Sequence, residues 1–253
     1  ACLAVLLGLS LNSSLRGHRQ ATLWTGCASL ILLIALFIGY PHLNDFDQGL
    51  STLVQEHRSA WLDETMVRLT QLGEFKKMFV ASALLTGLLL LARQWRHALF
   101  VGVTLGGAAL INTTTKQFFA RGRPEILTDP LTSFSMPSGH ASGAFAFFLA
   151  LAVLAGRGQP TRLRLTWLLL GCIPAAFIAL SRVYLGAHWP TDILAGTLLA
   201  MTVCALSLSA VQYRSPLPPM PQKAWWLVLP VVVAVLGFIA FTGTPHALLR
   251  YAY

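Results

Sequence analysis

The chain has 253 residues, of which 55% are hydrophobic and 11% charged. A soluble domain carries about 25% charged residues, so an ordinary soluble globule is excluded and an integral membrane protein is expected. Eighteen Lys and Arg against nine Asp and Glu give a net charge of +9. No basic, aromatic-studded groove pattern accompanies that charge. It points to anionic headgroups and an anion site, and not to nucleic acid.

The chain opens with ACLAVLLGLSL, too short to span a bilayer. Its basic residues follow the apolar part, unlike a signal peptide. Residues 1–21 are therefore expected to be a truncated apolar segment with a basic linker, the tail of a preceding or fused membrane domain. Spanning stretches are predicted at 22–40, 77–93, 98–118, 138–155, 165–186, 190–211 and 224–242. Residues 22–211 form the expected membrane domain, and 212–253 a basic loop with the seventh span. The fold class is all-α, a polytopic transmembrane helical bundle.

Between the first two spans, Leu50, Leu53, Val54, His57 and Trp61 recur at helical spacing, and Met66 and Leu69 continue the pattern. This predicts amphipathic helices over 41–76, lying at the interface or capping the bundle. Asp45 and Asp47 are taken as solvated surface, since nothing nearby completes a metal-ligand set. Gly102 and Gly106 permit close helix packing. Cys2, Cys27, Cys172 and Cys204 all lie in apolar runs without metal-type spacing, and are expected to be small buried hydrophobes.

The segments before 22 and at 94–97, 156–164 and 212–223, with Arg93, hold nine basic residues and no acid. The opposite side holds the other nine, of which Lys116, Arg121, Arg123 and Arg182 cluster with polar motifs. With those four set aside, the acid-free side is expected to be cytoplasmic, and the motif-bearing loops face outward.

Three polar clusters on that outward side interrupt the apolar pattern. KQFFARGRP (116–124) ends the third span, SMPSGHAS (135–142) opens the fourth, and SRVYLGAHWPTD (181–192) bridges the fifth and sixth. Lys116, Arg123 and Arg182 would repel one another unless a polyanion lay between them, and Arg suits phosphoryl oxygens. Arg121 is expected to snorkel to the headgroups. Ser138 is a plausible N-cap, and the free N–H groups at Ser138 and Gly139 would cradle an anion. His140 lies in the first turn beside them. His188 and Asp192 are four apart across Pro190. A carboxylate on one ring nitrogen fixes the tautomer and frees the other to attack.

K-x6-R-P at 116–124, P-S-G-H at 137–140 and S-R-x5-H-x3-D at 181–192 together resemble the signature of the type 2 phosphatidic acid phosphatase (PAP2) superfamily. The resemblance covers roughly 40–211. It implies a six-helix core, leaving the seventh span as an addition and 41–76 as an interfacial cap. It also implies that His188 attacks phosphorus to form a phosphohistidine and that Asp192 orients it. His140 then protonates the leaving oxygen and activates water. Lys116, Arg123, Arg182, Ser138 and Gly139 bind the phosphoryl group, with no metal or other cofactor. The expected activity is hydrolysis of a lipid mono- or diphosphate: phosphatidic acid, phosphatidylglycerol phosphate, undecaprenyl diphosphate or lipid A phosphate. The expected place is the bacterial inner membrane, with the site facing the periplasm and a membrane lipid as partner. A lipid phosphotransferase and a non-enzymatic lipid-phosphate binding or transport protein are the alternatives. Vanadium haloperoxidases share the constellation but are soluble, which the spans here oppose.

Overall fold

The computed structural model describes residues 19–126 and 131–242. Among the described residues the regular structure is entirely helical: α1 (Arg19–Gly39), a 3-10 turn (Tyr40–Leu43), α2 (Asn44–Glu56), α3 (Ala60–Leu72), α4 (Phe75–Leu91), α5 (Trp95–Phe119), α6 (Gly139–Gly156), α7 (Thr161–Tyr184), α8 (Pro190–Val211) and α9 (Gln222–Phe241). Most of residues 1–21 lie outside the described residues, and 19–21 already belong to α1.

Among the described residues six helices, α1 and α5 to α9, are long and apolar enough to cross a membrane. The sequence predicted seven. The remaining one, α4, has 17 residues, about 25 Å of helix at 1.5 Å per residue, the short end of the spanning range. The expected boundaries otherwise hold to within a few residues. Trp24, Ile38, Leu91, Phe118 and Trp226 are 69–82% exposed, large apolar side chains that lipid, and not water, would surround.

α6 and α8 form the centre. They pack on each other, and α5 lies against both. α7 packs along α6, and α1 covers the far side of α8. Polar groups inside this apolar bundle need partners where water is absent. Thr202 Oγ1 on α8 donates to Ser29 Oγ on α1 at 2.9 Å. Gly196 is needed at the α6–α8 crossing, since a Cβ there would stand 2.6 Å from the Ser138 carbonyl oxygen. α9, outside the six-helix core, packs on α3 and α4.

The predicted cap is present as α2 and α3, with its polarity turned inward. Asp47 and Ser51 of α2 are buried, whereas Phe46, Leu50 and Leu53 are exposed. Gln55 donates to the carbonyls of Val183 and Tyr184 at 3.3 and 3.0 Å, tying α2 to the end of α7. The helix thus docks through its polar side and offers its apolar side outward, which suits a bilayer interface.

Candidate active site

All three polar clusters meet at the capped end of the bundle. α5 ends at Ala120, in left-handed conformation with φ 45° and ψ 34°, and this turn sends Arg121–Pro124 back across the bundle. α6 starts at Ser138, whose Oγ accepts the Ala141 N–H at 3.4 Å. α7 ends by folding over itself: the N–H groups of Ala187 and His188 donate to the Arg182 carbonyl at 2.9 and 3.2 Å. Gly186, at φ +67° against Ile126, makes that reversal. α8 opens with Pro190 in its first turn and Asp192 in a reciprocal cap with Trp189.

These ends enclose a cavity of about 620 Å³. Lys116, Arg123, Gly139, His140, Arg182 and His188 line it, and Thr70, Gln71, Glu74 and Lys77 close it from the cap side. The predicted residues therefore converge, except that Asp192 and Ser138 stand behind the wall and not on it.

His188 is 2% exposed. Its Nδ1 faces Asp192 Oδ2 at 3.3 Å, and its Nε2 faces Arg123 Nη1 at 3.1 Å. A guanidinium can only donate, so Nε2 holds the lone pair and Nδ1 the proton. Burial, then the positive fields of Arg123, Arg182 and Lys116, hold the imidazole well below the ordinary histidine range. The ring is neutral near pH 7, with a basic nitrogen aimed at the cations of the cavity.

Arg123 also donates to the carbonyls of Ala187 and Ser133, the latter at 2.6 Å. Lys116 reaches the carbonyls of Phe134 and Ser135. Arg182, fully buried, donates to Thr70 Oγ1 of α3 at 2.9 Å. Lys116, Arg123 and Arg182 thus bring three basic side chains to one cavity, an arrangement that suits an anion.

Three sequence expectations change. The N–H of Ser138 donates to the Asp192 carbonyl at 3.0 Å, so it clamps α6 to α8 and is not free to cradle an anion. Arg121 does not snorkel to the headgroups. It is buried between Asp47 Oδ2 at 2.7 Å and Asp192 Oδ1 at 2.8 Å. Asp47 is accordingly 1% exposed and not solvated surface, while Asp45 is exposed as expected. Sequence reasoning also passed over Ser135, whose hydroxyl donates to Asp192 Oδ2. Its position three residues before Ser138 was the available signal. Among the described cysteines, Cys204 is buried, Cys27 and Cys172 are half-buried, and all are unbridged. Cys2 lies outside the described residues.

His140 is held from the cap. A Cβ on Gly73 would come within 2.9 Å of His140 Cδ2 and 2.5 Å of Ile178 Cγ2. Gly73→Ala is therefore expected to displace the His140 ring and cut turnover by roughly 10²-fold, as a 1 Å misplacement of a reacting group does. Steady-state kinetics of the folded variant check this, and unchanged turnover would show that the ring position is not critical.

The fold and site define a multi-pass membrane enzyme that hydrolyses phosphate esters or anhydrides. The PAP2 superfamily profile matches residues 97–216, and the chain belongs to that superfamily. It is 28% identical over 182 residues to phosphatidylglycerophosphatase B of Bacillus subtilis, covering 68% of this chain and 88% of that one. It is 32% identical over 143 residues to decaprenylphosphoryl-5-phosphoribose phosphatase of Mycobacterium tuberculosis, covering 54% and 74% respectively. In fold it resembles the crystal structure of a transmembrane PAP2-type phosphatidylglycerolphosphate phosphatase from Bacillus subtilis. The TM-score is 0.67 at 24% identity, over 75% of this chain and 97% of that one.

Proposed function

We propose that the protein hydrolyses a lipid mono- or diphosphate through a phosphohistidine on His188, at the outer face of the inner membrane. The observation that carries the lipid reading is a second, apolar groove of about 570 Å³ lined by α4, α5 and α6. It shares Phe75, Asn112, Thr113 and Gly139 with the polar cavity. A molecule with a phosphorylated head and an apolar chain fills both spaces at once; a soluble phosphate ester fills one.

In this reading Lys116, Arg123 and Arg182, with the N–H groups at the start of α6, hold the phosphoryl oxygens as charge accumulates. His188 Nε2 attacks phosphorus, and the bond from phosphorus to the leaving oxygen breaks. His140 gives its proton to that oxygen. The ring of His188, now carrying phosphorus on Nε2 and a proton on Nδ1, is cationic and is stabilised by Asp192. Water then loses a proton to His140 and attacks phosphorus. The P–N bond breaks, the electron pair returns to Nε2, and inorganic phosphate leaves. The three cations and the helix terminus supply the positive field this needs. Among the described residues no cluster of three His, Cys, Asp or Glu could hold a metal ion. Residues 22–211 carry this chemistry.

Purified protein in detergent with chelator is expected to release phosphate from phosphatidic acid or undecaprenyl diphosphate. kcat/KM should be far higher than for glycerol 3-phosphate, and vanadate should inhibit as a five-coordinate mimic of phosphorus. Equal kcat/KM for the chainless ester would remove the lipid assignment, and no release from any of the three would remove the hydrolase reading.

A further inference from the structure

We propose that Asp47, on the interfacial helix α2, is a positioning residue for the reaction: by neutralising Arg121 it leaves the charge of Asp192 available to His188. The inference rests on His188 being the nucleophile.

The geometry forms a relay of four groups. His188 Nδ1 faces Asp192 Oδ2, which also accepts the Trp189 N–H at 2.9 Å and the Ser135 hydroxyl. The other carboxylate oxygen, Oδ1, accepts from Arg121 Nη1 at 2.8 Å. Arg121 Nη1 also reaches Thr191 Oγ1 at 2.7 Å, and its Nη2 reaches Asp47 Oδ2 at 2.7 Å. Asp47 Oδ1 accepts the N–H of Thr191 at 2.9 Å, in the first turn of α8, two residues after Trp189. The guanidinium lies 4.9 Å from the Tyr40 ring centroid and 5.7 Å from that of Trp189. Asp47, Arg121 and Asp192 have side chains 1%, 8% and 0% exposed, so water screens this cluster weakly.

The charges decide the effect. Asp192 paired with Arg121 alone is neutral, and a neutral pair stabilises a cationic phosphoimidazolium poorly. Adding Asp47 makes the cluster net −1, and the surplus faces His188. The other charged or titratable groups lining the cavity with that ring are Lys116 of α5, Arg123 of the following loop, His140 of α6, Arg182 of α7, Lys77 of α4 and one acid, Glu74, whose carboxylate is paired with Lys77 at 2.9 Å. Asp47 thus restores, from outside the cavity, the negative field that Arg121 would otherwise cancel. Asp47 does not line the cavity, so substrate binding is not its task.

The test is the pH profile of phosphate release from phosphatidic acid micelles, comparing wild type, Asp47→Asn, Asp47→Glu and the double variant Asp47→Asn/Arg121→Gln. The wild-type acid limb of kcat/KM lies below the ordinary histidine value, since His188 must be neutral to attack. In Asp47→Asn, kcat falls roughly tenfold, the size of effect coupled contacts transmit, with KM nearly unchanged. The acid limb also moves to lower pH, because less negative field surrounds the ring. Asp47→Glu keeps the wild-type limb. The double variant returns the limb toward wild type, since Asp192 is again uncompensated, and it remains informative if the single variant folds poorly. A packing role alone would lower Tm without moving the limb, and that result overturns the inference. So does an Asp47→Asn variant with wild-type kcat and limb. No turnover by wild type would instead remove the nucleophile reading, and this inference with it.

Discussion

His188→Ala is expected to abolish phosphate release, by at least about 10⁴-fold, while the protein stays folded. The size follows from losing the group that bonds to phosphorus: without it only positioning and charge stabilisation remain. The fold survives because the imidazole is a wall of the cavity. After truncation the Asp192 carboxylate still accepts from Trp189, Ser135 and Arg121, so no buried charge is orphaned. Phosphate release and thermal melting of the variant, side by side with wild type, check both halves. Quenched wild-type turnover should also carry an acid-labile, base-stable phosphoryl label on the protein that the variant lacks. Turnover within tenfold of wild type would end the nucleophile assignment.

Asp192→Asn carries the next largest effect, about 10³- to 10⁴-fold in kcat, the scale of losing a carboxylate that fixes a catalytic imidazole. The amide can present its NH₂ to Nδ1, which favours the opposite tautomer and places the proton on the attacking Nε2. It also removes the negative charge that balances the phosphoimidazolium. The variant should fold, because Arg121 keeps Asp47 and Thr191, at a cost of about 1–3 kcal/mol for the lost charged hydrogen bonds. A variant with unchanged KM for phosphatidic acid and a kcat lowered on this scale fits. Loss confined to KM would place Asp192 in binding instead.

The three polar clusters were readable from the chain because each is short, interrupts an apolar run and falls at a span end. Polar groups at membrane depth have few reasons to be there. The helices around them were readable for the same reason, since apolar length alone marks a span. α4 was the exception to that rule, with an apolar pattern counted as a full span but only 17 residues of helix. What remained hidden was pairing. Asp47 and Arg121 are 74 residues apart, and nothing in either local sequence announces the other. Asp47 looked like surface because α2 carries its polar side inward, the reverse of a soluble amphipathic helix. Ser138 could be recognised as a cap from its place before Gly139. That the Asp192 carbonyl would claim its N–H depends on the α6–α8 crossing, which neither local sequence announces.

At that crossing the bundle is held tightly. The Ser138–Asp192 hydrogen bond and the Gly196 contact rivet together the two helix starts that carry His140 and Asp192. His140 and Asp192 are thus held at a fixed spacing. α4 is short, packs on α5, α6 and α9, and carries none of the predicted catalytic residues. If the proposed lipid reading holds, changes to the bulk of α4 are expected to alter which chains fit the groove it lines with α5 and α6, while the Ser138–Asp192 bond keeps the two helix starts together.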